Sequence, residues 1–490
     1  MISFRWVMIG LLTLSSCVSM PKDEQTKNLL TLPALDTSVA SSLETPYFEE
    51  GEWPEASWWE MFQSPQLSAL IEQSIAENPN LISVRRRIDF AEQTAKVVRS
   101  RLFPLLSFNA NEKWELLSHH GLYRALNPKV PLNANLVDLT LSFNYEFDFW
   151  GKNNHLFHAA LGERKAQEAE AAQVQLITTT AVAQAYFALK TNLVRQKLYG
   201  RLYEVRLQLF QLQNLLQMSA LSSILPPLQA EEDLLEADQF LCSIQEEVAT
   251  DQHLINILIG QGPDAPLEID ETLPLLPESL TIPSTLSVNL LARRPDLMAQ
   301  IWRVEALAQE VGAAKADFYP NVNLTAFLGL ESVFYAKLFQ ASSKAAGLLP
   351  AIYLPIFTAG AIRANIRAKK ASFDEAVFQY NSLILQSVQE VADLLVLAES
   401  LFAQRQDQDQ IVSAARERWE ITLLRNESGL DNLLQSLVRE AEMIERELGD
   451  VTLLYGQYSA AIKLVKALGG GYESNYRIPL EATNTAGEGL

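Results

Sequence analysis

The longest stretch of this chain without glycine or proline lies between Gly360 and Gly429 and holds 68 residues (429 − 360 − 1). A helix of that length would reach about 100 Å. Its apolar residues recur at steps of 4 and 3, close to the helical period of 3.6, at Phe373, Val377, Tyr380, Ile384, Val388, Val391, Leu395, Ala398 and Phe402. This stripe predicts one long and nearly straight amphipathic helix.

A second segment, from about Lys152 to Gln217, has the same helix-favouring composition, rich in Ala, Gln, Leu and Glu. Each long segment is followed by a break and by another helical pattern, at Leu228–Ile259 and at Asn432–Ala467. We therefore expect two very long helical hairpins. Helices alone leave open a filament-like coiled coil or a spectrin-like bundle.

A strict alternation of apolar and polar residues runs through "LVDLTLSFNYEFDFWG", Leu136 to Gly151. Because successive residues of a strand point to opposite faces, this segment predicts one long strand with an apolar face and a polar face. A strand of about 9–11 residues can cross a bilayer, and the aromatic end at Phe147, Phe149 and Trp150 is typical of a membrane interface. The alternative is an edge strand of a soluble sandwich.

The chain also contains an internal repeat. "NPNL" at Asn78 and "RPDL" at Arg294 stand 216 residues apart (294 − 78), and so do "FP" at Phe103 and "YP" at Tyr319. Both copies predict a helix that begins at the proline, with Asn78 as a cap in the first. Each helix is followed by an alternating strand, a loop, a second strand and a glycine that opens a long helix. The returning strand of the second copy, around Leu348–Phe357, is the weakest because Pro350 and Pro355 interrupt it.

Four amphipathic strands per chain are too few to close a membrane barrel, which needs at least about eight. Open sheet edges do not persist in lipid. Either the strands lie outside the membrane, or several copies of the chain share one barrel. In the second case one face of each strand meets lipid and the other meets a wet lumen.

The first residues are typical of a bacterial export signal. Arg5 precedes a short apolar run, Trp6 to Leu14, which is too short to span a membrane. "LSSC", Leu14 to Cys17, resembles the lipobox of bacterial lipoproteins, in which the cysteine becomes the acylated N-terminus. Val18 after the cysteine favours, by the same resemblance, an outer-membrane destination. The alternative is an ordinary cleaved signal with a chance cysteine.

Composition excludes several functions. The chain has 59 acidic residues against 39 Lys and Arg, a net charge of −20, which argues against nucleic acid as a partner. No nucleophile, base and orienter set and no phosphate loop is visible, so we expect neither an enzyme nor a cofactor. His155 and His158 lie one helical turn apart, but the spacing favours surface histidines over a metal site. The runs Arg85–Arg87 and Arg293–Arg294 are interpreted as solvated helix faces, or less readily as pore-lining residues.

Four segments carry a family resemblance: Trp58–Leu81, "LLARRPDLMAQIWRVEALAQEVGAAKADFYPNVNLTAFLGL" (Leu290–Leu330), "LPIFTAGAIRANI" (Leu354–Ile366) and "VKALGGGY" (Val465–Tyr472). They resemble the TolC-like outer-membrane efflux channels, and most closely their lipoprotein branch of the OprM/NodT type. The resemblance covers about Trp58 to Tyr472. It implies a mainly α fold with a small transmembrane β part, in which long helical hairpins form a periplasmic α-barrel. It also implies a homotrimer that shares a 12-stranded β-barrel.

On this resemblance the chain divides into six segments: a lipoprotein signal peptide (1–16), a lipid-anchored linker (17–57), a first repeat (58–262; β-hairpin 105–149, helical hairpin 152–260), an equatorial linker (263–285), a second repeat (286–468; β-hairpin 320–357, helical hairpin 361–467) and a tail (469–490). The implied function is the outer-membrane channel of a tripartite, RND-type efflux system. It would passively conduct drugs or other small toxic solutes from an inner-membrane pump and a periplasmic adaptor to the exterior. A type I protein secretion channel and a non-channel periplasmic scaffold are the alternatives.

The two hairpin tips differ. The second, "RNESGLDNLLQS" (Arg425–Ser436), keeps the family pattern of Gly, an apolar residue and Asp, whereas the first, Ser219–Asp233, has Pro226 and Pro227 and no Gly. The resemblance makes Asp431, Leu430 and Asn426 gate candidates, since three carboxylates of a trimer would form a cation-favouring ring. Such a ring needs cations, water or donors such as Arg425 from neighbouring chains. The alternative for Asp431 is an N-cap of the following helix.

Overall fold

A computed structural model describes residues 29–30, 33, 35–270, 272–277, 279–283, 290 and 292–474. The predicted signal peptide and lipidation site at Cys17 lie outside these residues, as does the end of the tail. The described chain forms two compact units, one made chiefly of Ile88–Gln167 and Gln300–Gln379 and the other of the described residues within 30–87, 168–299 and 380–474. In the part of the chain that the structure covers, no helix is long and apolar enough to cross a membrane.

The elements follow the predicted order. The helices are α1 Asp36–Leu43, α2 Pro65–Glu77, α3 Pro79–Ser100, α4 Leu122–Leu126, α5 Lys152–Met218, α6 Leu225–Leu258, α7 Pro295–Ala316, α8 Ala361–Glu427 and α9 Leu433–Ala467. The strands are β1 Phe48–Gly51, β2 Leu105–Leu116, β3 Asn133–Phe147, β4 Leu280–Pro283, β5 Asn321–Ser332 and β6 Lys344–Tyr353. Short 3₁₀ turns cover Trp58–Phe62, Tyr335–Lys337 and Ala341–Ser343.

The first unit contains a four-stranded antiparallel sheet in the order β2-β3-β5-β6. The expected returning strand around Leu348–Phe357 is misplaced by a few residues, because β6 begins at Lys344 and ends at Tyr353. Pro350 lies inside β6, opposite Leu324. Within this chain β6 pairs with β5 on one side only, so the missing N–H of Pro350 can face the other side, where a pairing strand would lack one hydrogen bond. Pro355 lies beyond the strand.

The same unit packs the start of α5 against α7. A Cβ at Gly162 would lie 3.2 Å from the Trp302 carbonyl oxygen, so this glycine permits close approach of the two helices. Lys165 extends its ammonium group over the Trp302 ring, 3.9 Å from the ring centroid. These contacts give the unit a helical layer in addition to its sheet.

The core of the second unit contains an aromatic cluster among many buried aliphatic residues. Phe187 and Tyr458 stack with ring centroids 4.0 Å apart, and Phe62 packs against both. Lys190 is buried beside them and forms an ion pair with Asp270 in the segment after α6. Its pairing explains why a lysine can be buried here at all, since an unpaired buried charge would be costly.

The sequence repeat has a structural counterpart at the start of α3 and α7. The Asn78 side-chain amide donates to the carbonyl oxygen of Leu258, the last residue of α6, over 2.8 Å. The Arg294 guanidinium donates to the carbonyl oxygen of Ala467, the last residue of α9, over 3.1 Å. Asn78 also accepts from the backbone amides of Asn80 and Leu81, which confirms its predicted cap role. In both copies the residue before the proline thus satisfies a carbonyl at the end of a hairpin.

The interpretation of Arg293–Arg294 as a solvated face is wrong for Arg294. Its side chain is 9% exposed and contacts the carboxylates of Asp296 at 2.8 Å and Glu390 at 2.9 Å. Burial acts to lower the pKa of Arg294, but its hydrogen bonds and ion pairs with the two carboxylates outweigh burial and raise it. Arg85–Arg87 are exposed, as expected.

Candidate functional sites in the sheet and the hairpin tips

The register of the sheet gathers its apolar side chains on one face. Residues directly opposite one another in antiparallel strands share a face, so Leu141 lies in one row with Phe108 and Leu328. The apolar members of this face are Leu106, Phe108, Ala110, Trp114, Val137, Leu139, Leu141, Phe143, Tyr145, Phe147, Val322, Leu324, Ala326, Leu328, Leu330, Ala346, Leu348, Pro350 and Ile352. Polar residues Glu112, Ser332 and Lys344 lie on the same face, at the end away from the helices. Much of the face is exposed in the single chain, including Phe108 at 67% and Leu328 at 62%. An exposed apolar surface of this kind marks contact with a membrane or a partner.

The opposite face is mostly polar. It carries Ser107, Asn109, Asn111, Asp138, Thr140, Ser142, Asn144, Glu146, Asn321, Asn323, Thr325 and Glu331. Neighbouring strands exchange side-chain hydrogen bonds there, such as Asn109 to Ser142 at 3.1 Å and Thr325 to Asn144 at 3.0 Å. The predicted separation of an apolar face from a polar face is therefore confirmed for β2, β3 and most of β5. It is not confirmed for β6, whose residues on this face are Ala345, Gly347, Leu349, Ala351 and Tyr353.

Aromatic residues cluster at the end of the sheet where the chain passes into the helices. Trp150 and Tyr319, from the two repeats, stack with ring centroids 4.5 Å apart, and the Trp150 indole donates to the Pro320 carbonyl at 2.9 Å. Phe147 stacks on Phe149 at 5.5 Å. Amphipathic rings of this type are enriched at membrane–water boundaries.

The second hairpin tip is closed by a glycine in the left-handed region. Gly429 has φ +73°, its amide donates to the Asn426 carbonyl, and the Leu430 amide donates to the Arg425 carbonyl. This pair of bonds is a Schellman turn, which satisfies carbonyls at the end of α8. It leaves the Leu430 side chain 68% exposed at the tip.

Asp431 forms an ion pair with Arg425 of its own chain. The Arg425 Nε lies 2.6 Å from one carboxylate oxygen and Nη2 lies 3.3 Å from the other. The hydrogen bond from Arg425 lowers the pKa of Asp431 below its ordinary value, so the carboxylate is charged at neutral pH. We expected Arg425 to donate to Asp431 of a neighbouring chain, whereas in the structure it pairs with Asp431 of its own tip.

The alternative interpretation of Asp431 as a helix cap is wrong. Asn432 is the N-cap of α9, and its side-chain oxygen accepts from the Gln435 amide at 2.9 Å. Asp431 lies one residue too early in the chain and turns toward Arg425 instead. Its charge is therefore engaged by an arginine and not by the first turn of α9.

The first tip has the same turn built on an alanine. Ala220 has φ +58°, its amide donates to the Gln217 carbonyl, and the Leu221 amide donates to the Leu216 carbonyl. Adding 209 to these numbers gives the partners of the second tip, and 209 is also the offset between Gly151 and Gly360 (360 − 151). Applying this offset to the tips would have revealed the equivalence from the sequence.

The histidine pair does not form a metal centre in the structure. The imidazole of His155 contacts the Gln309 side chain at 2.6 Å. Among the described residues, no group of three or more His, Cys, Asp or Glu side chains could hold a metal ion. Cys242, on α6, is exposed and carries a free thiol.

Comparison with known proteins agrees with this architecture. The family model described as "Outer membrane efflux protein" matches residues 70–261 and 286–470. The multidrug resistance outer membrane protein MdtQ of Escherichia coli O6:H1 is 29% identical over 473 residues, covering 94% of this chain and 97% of MdtQ. MdtP of Escherichia coli K12 is 27% identical over 430 residues, covering 86% of this chain and 88% of MdtP.

Two solved structures extend the comparison. The outer membrane protein VceC of Vibrio cholerae is 32% identical, with a TM-score of 0.76 over 86% of this chain and all of VceC. The CmeC outer membrane channel of Campylobacter jejuni is 20% identical and matches in fold, with a TM-score of 0.82 over 94% of this chain and 96% of CmeC.

The long hairpins, the amphipathic sheet and these matches are those of the outer-membrane channel proteins. The chain belongs to the outer membrane efflux protein family. It is accordingly an outer-membrane protein of a transport family and not of an enzyme family.

Proposed function

We propose that this chain is the outer-membrane channel of a tripartite efflux system and passively conducts drugs or other small toxic solutes to the exterior. A periplasmic adaptor and an RND-type inner-membrane pump would deliver these solutes. The relatives named multidrug resistance proteins support drug efflux over protein secretion. The observation that carries the proposal is the sheet with one apolar and one polar face, because such a sheet can separate lipid from a wet pore.

Three copies would complete the pore. Within the described chain, β2 and β6 each pair on one side only, so the sheet has two open edges. Open edges are not stable in lipid, and pairing β6 of one copy with β2 of the next would remove them. Three four-stranded sheets joined in this way form a closed 12-stranded barrel.

The height of the apolar face fits a membrane. From Val137 to Phe147 the strand makes ten steps (147 − 137). At about 3.4 Å per residue and a tilt of about 40°, these steps rise roughly 26 Å, close to the apolar band of outer-membrane barrels. The aromatic cluster around Trp150 and Tyr319 would then lie at the periplasmic boundary of the bilayer.

We also propose that the second hairpin tip narrows the periplasmic end of the pore. Leu430, Asp431 and Asn426 are its gate residues, with the exposed Leu430 side chain and the Arg425–Asp431 pair supporting this role. Asn426 contributes its carbonyl to the turn that holds Leu430 in place. The adaptor would relax this closed state.

Lipid anchoring through Cys17 completes the proposal, supported by the lipobox-like "LSSC" sequence. Replacing Cys17 with Ser should abolish metabolic labelling with fatty acid. A mature N-terminus at any other residue would contradict the anchor.

The transport proposal is tested in a strain that lacks its own outer-membrane efflux channels. Expressing this chain together with a compatible pump and adaptor should raise the drug concentration needed to stop growth, and omitting the pump should remove the effect. Unchanged susceptibility, despite folded protein in the outer membrane, would contradict drug efflux.

A further inference from the structure

Two loops lie together at the end of the sheet opposite the helices. Leu116, the last residue of β2, pairs with Asn133, the first of β3, so the loop between them lies at this end. Leu330 of β5 pairs with Lys344, the first residue of β6, which places the β5–β6 loop at the same end. We call residues 117–132, together with residues 333–344 (the last of which is the first residue of β6), the distal loops.

The distal loops have a charge opposite to that of the chain. Residues 117–132 contain Arg124 and Lys129, residues 333–344 contain Lys337 and Lys344, and neither range contains an Asp or Glu. Acidic residues occur on the adjoining strand ends: Glu112 accepts from Tyr335, Glu115 pairs with Lys113, and Asp138 and Glu331 lie opposite each other on the polar face. The whole chain has a net charge of −20. The three lysines are exposed, so a positive surface is available to a partner at this end.

Large apolar side chains are exposed beside these cations. Leu122 and Leu126 of α4 are 71% and 77% exposed, and Phe339 of the second loop is 80% exposed. The Lys337 ammonium lies 5.2 Å from the centroid of the exposed Phe334 ring. A ligand that fits this surface must therefore offer both anionic groups and hydrocarbon.

Specific contacts give the loops a defined form. The Tyr335 hydroxyl donates to the Glu112 carboxylate on β2, which ties the second loop to the strand before the first loop. Arg124 donates to the Val130 carbonyl at 3.1 Å, and Ser343 donates to the Lys337 carbonyl at 2.7 Å. The cations are thus presented from a folded surface.

We propose that the distal loops bind a phosphorylated lipid of the outer leaflet, with the lysines on its phosphates and the apolar side chains against its acyl chains. This assignment rests on the proposed function, since it requires the distal loops to face the exterior. Basic residues next to apolar side chains are the pattern by which membrane proteins bind anionic lipids. Free phosphate would use the cations alone and would leave Leu122, Leu126 and Phe339 without a role.

The test measures binding of fluorescent diphosphoryl lipid A to the purified full-length protein in neutral detergent. The variant replaces Lys129, Lys337 and Lys344 with Gln, and the matched control replaces three exposed helical lysines, Lys96, Lys197 and Lys463, with Gln. At roughly fivefold per lysine, the loop variant should bind about 100-fold more weakly, while the control should bind like the wild type. Added salt should weaken wild-type binding.

Three results would overturn the proposal: equal binding by the loop variant and the wild type, equal binding of dephosphorylated lipid A, or displacement of the lipid by millimolar inorganic phosphate. Channel conductance is recorded on the same preparations. Conductance without lipid binding would refute only this inference, whereas absence of conductance in every preparation would refute the proposed function. A conducting loop variant also demonstrates that its substitutions left the fold intact.

Discussion

Ala220 and Gly429 occupy the same position of the same turn, 209 residues apart (429 − 220), and both have positive φ, +58° and +73°. A left-handed conformation costs an L-residue roughly 1–2 kcal/mol, a cost that glycine avoids. The first tip therefore stores backbone strain that the second tip lacks. The two tips have one architecture but different chemistry, since Leu216 and Ser222 stand where the second tip has Arg425 and Asp431.

This relationship predicts opposite effects of two substitutions. Ala220→Gly should stabilise the first tip and Gly429→Ala should destabilise the second, each by about 0.5–1 kcal/mol. This figure is the cost of the left-handed conformation minus the entropy that glycine loses when the chain folds. Hydrogen exchange of the amides of Leu221 and Leu430 would report the local opening free energy of each turn. Destabilisation by both substitutions would contradict the equivalence of the tips.

Arg294 should be necessary for the end of the second hairpin. Arg294→Met would leave Asp296 and Glu390 without their cation and should lower the free energy of unfolding by about 2–3 kcal/mol. This is less than the cost of breaking a fully buried ion pair, because both carboxylates retain contact with water. Arg87→Met, at an exposed arginine of the equivalent helix, is the control and should change stability by less than about 0.5 kcal/mol. Chemical denaturation would measure both, and equal effects would refute a structural role for the Arg294 cluster.

The Arg425–Asp431 pair predicts the pH dependence of the gate. The pKa of Asp431 is lowered in the folded tip. The stabilisation of the tip by the Arg425–Asp431 pair is therefore fully present above the ordinary carboxylate pKa of about 4, and it is lost only as pH falls through the lower pKa of the folded tip. Open probability in planar bilayers should therefore be constant from pH 7 to 5 and rise below about pH 4.

Asp431→Asn should raise the open probability at pH 7 and remove its rise in acid. The control is Glu427→Gln, which removes the same charge four residues earlier and should behave like the wild type. Among the described residues, the ion pair of this turn is made by Asp431 with Arg425, and Glu427 takes no part in it. If both variants keep the acid response, the gate must be sought in apolar neighbours such as Leu430.

The two faces of β3 predict a position-dependent cost of an added charge. Arg at Leu141, on the apolar face near mid-height, should destabilise the folded protein by about 2–4 kcal/mol. Arg at the adjacent Ser142, on the polar face, should be tolerated. The yield of folded protein in bilayers and its unfolding free energy would measure the difference, and a larger cost at Ser142 would invert our assignment of the faces.

Periodicity predicted most of this fold. The alternation from Leu136 onward predicted β3 and its faces, and the breaker-free stretch after Gly360 predicted α8, which ends at Glu427. Both signals are local, because a strand or a helix repeats its environment every 2 or 3.6 residues. Pro350 misled the placement of β6 because the effect of its missing N–H depends on which side of β6 pairs with β5, which no local pattern records.

Side-chain partners were less predictable. Arg294 resembles any exposed arginine until α8 and α9 bring Glu390 and the Ala467 carbonyl to it, from residues 96 and 173 positions away. The Arg425–Asp431 pair spans only six residues, yet it depends on the left-handed turn at Gly429 that folds Asp431 back. The gate residues, the lipid anchor and the segment boundaries stay predictions.

Cysteine accessibility can show whether the polar residues of the sheet line a conducting pore. With Cys242 replaced by Ser, Ser142→Cys and Leu141→Cys channels would be recorded in planar bilayers while a charged, membrane-impermeant thiol reagent is added. We expect the reagent to reduce the current through Ser142→Cys channels and to leave the current through Leu141→Cys channels unchanged. Block of Leu141→Cys with an unaffected Ser142→Cys, or folded protein that conducts no current, would contradict this expectation.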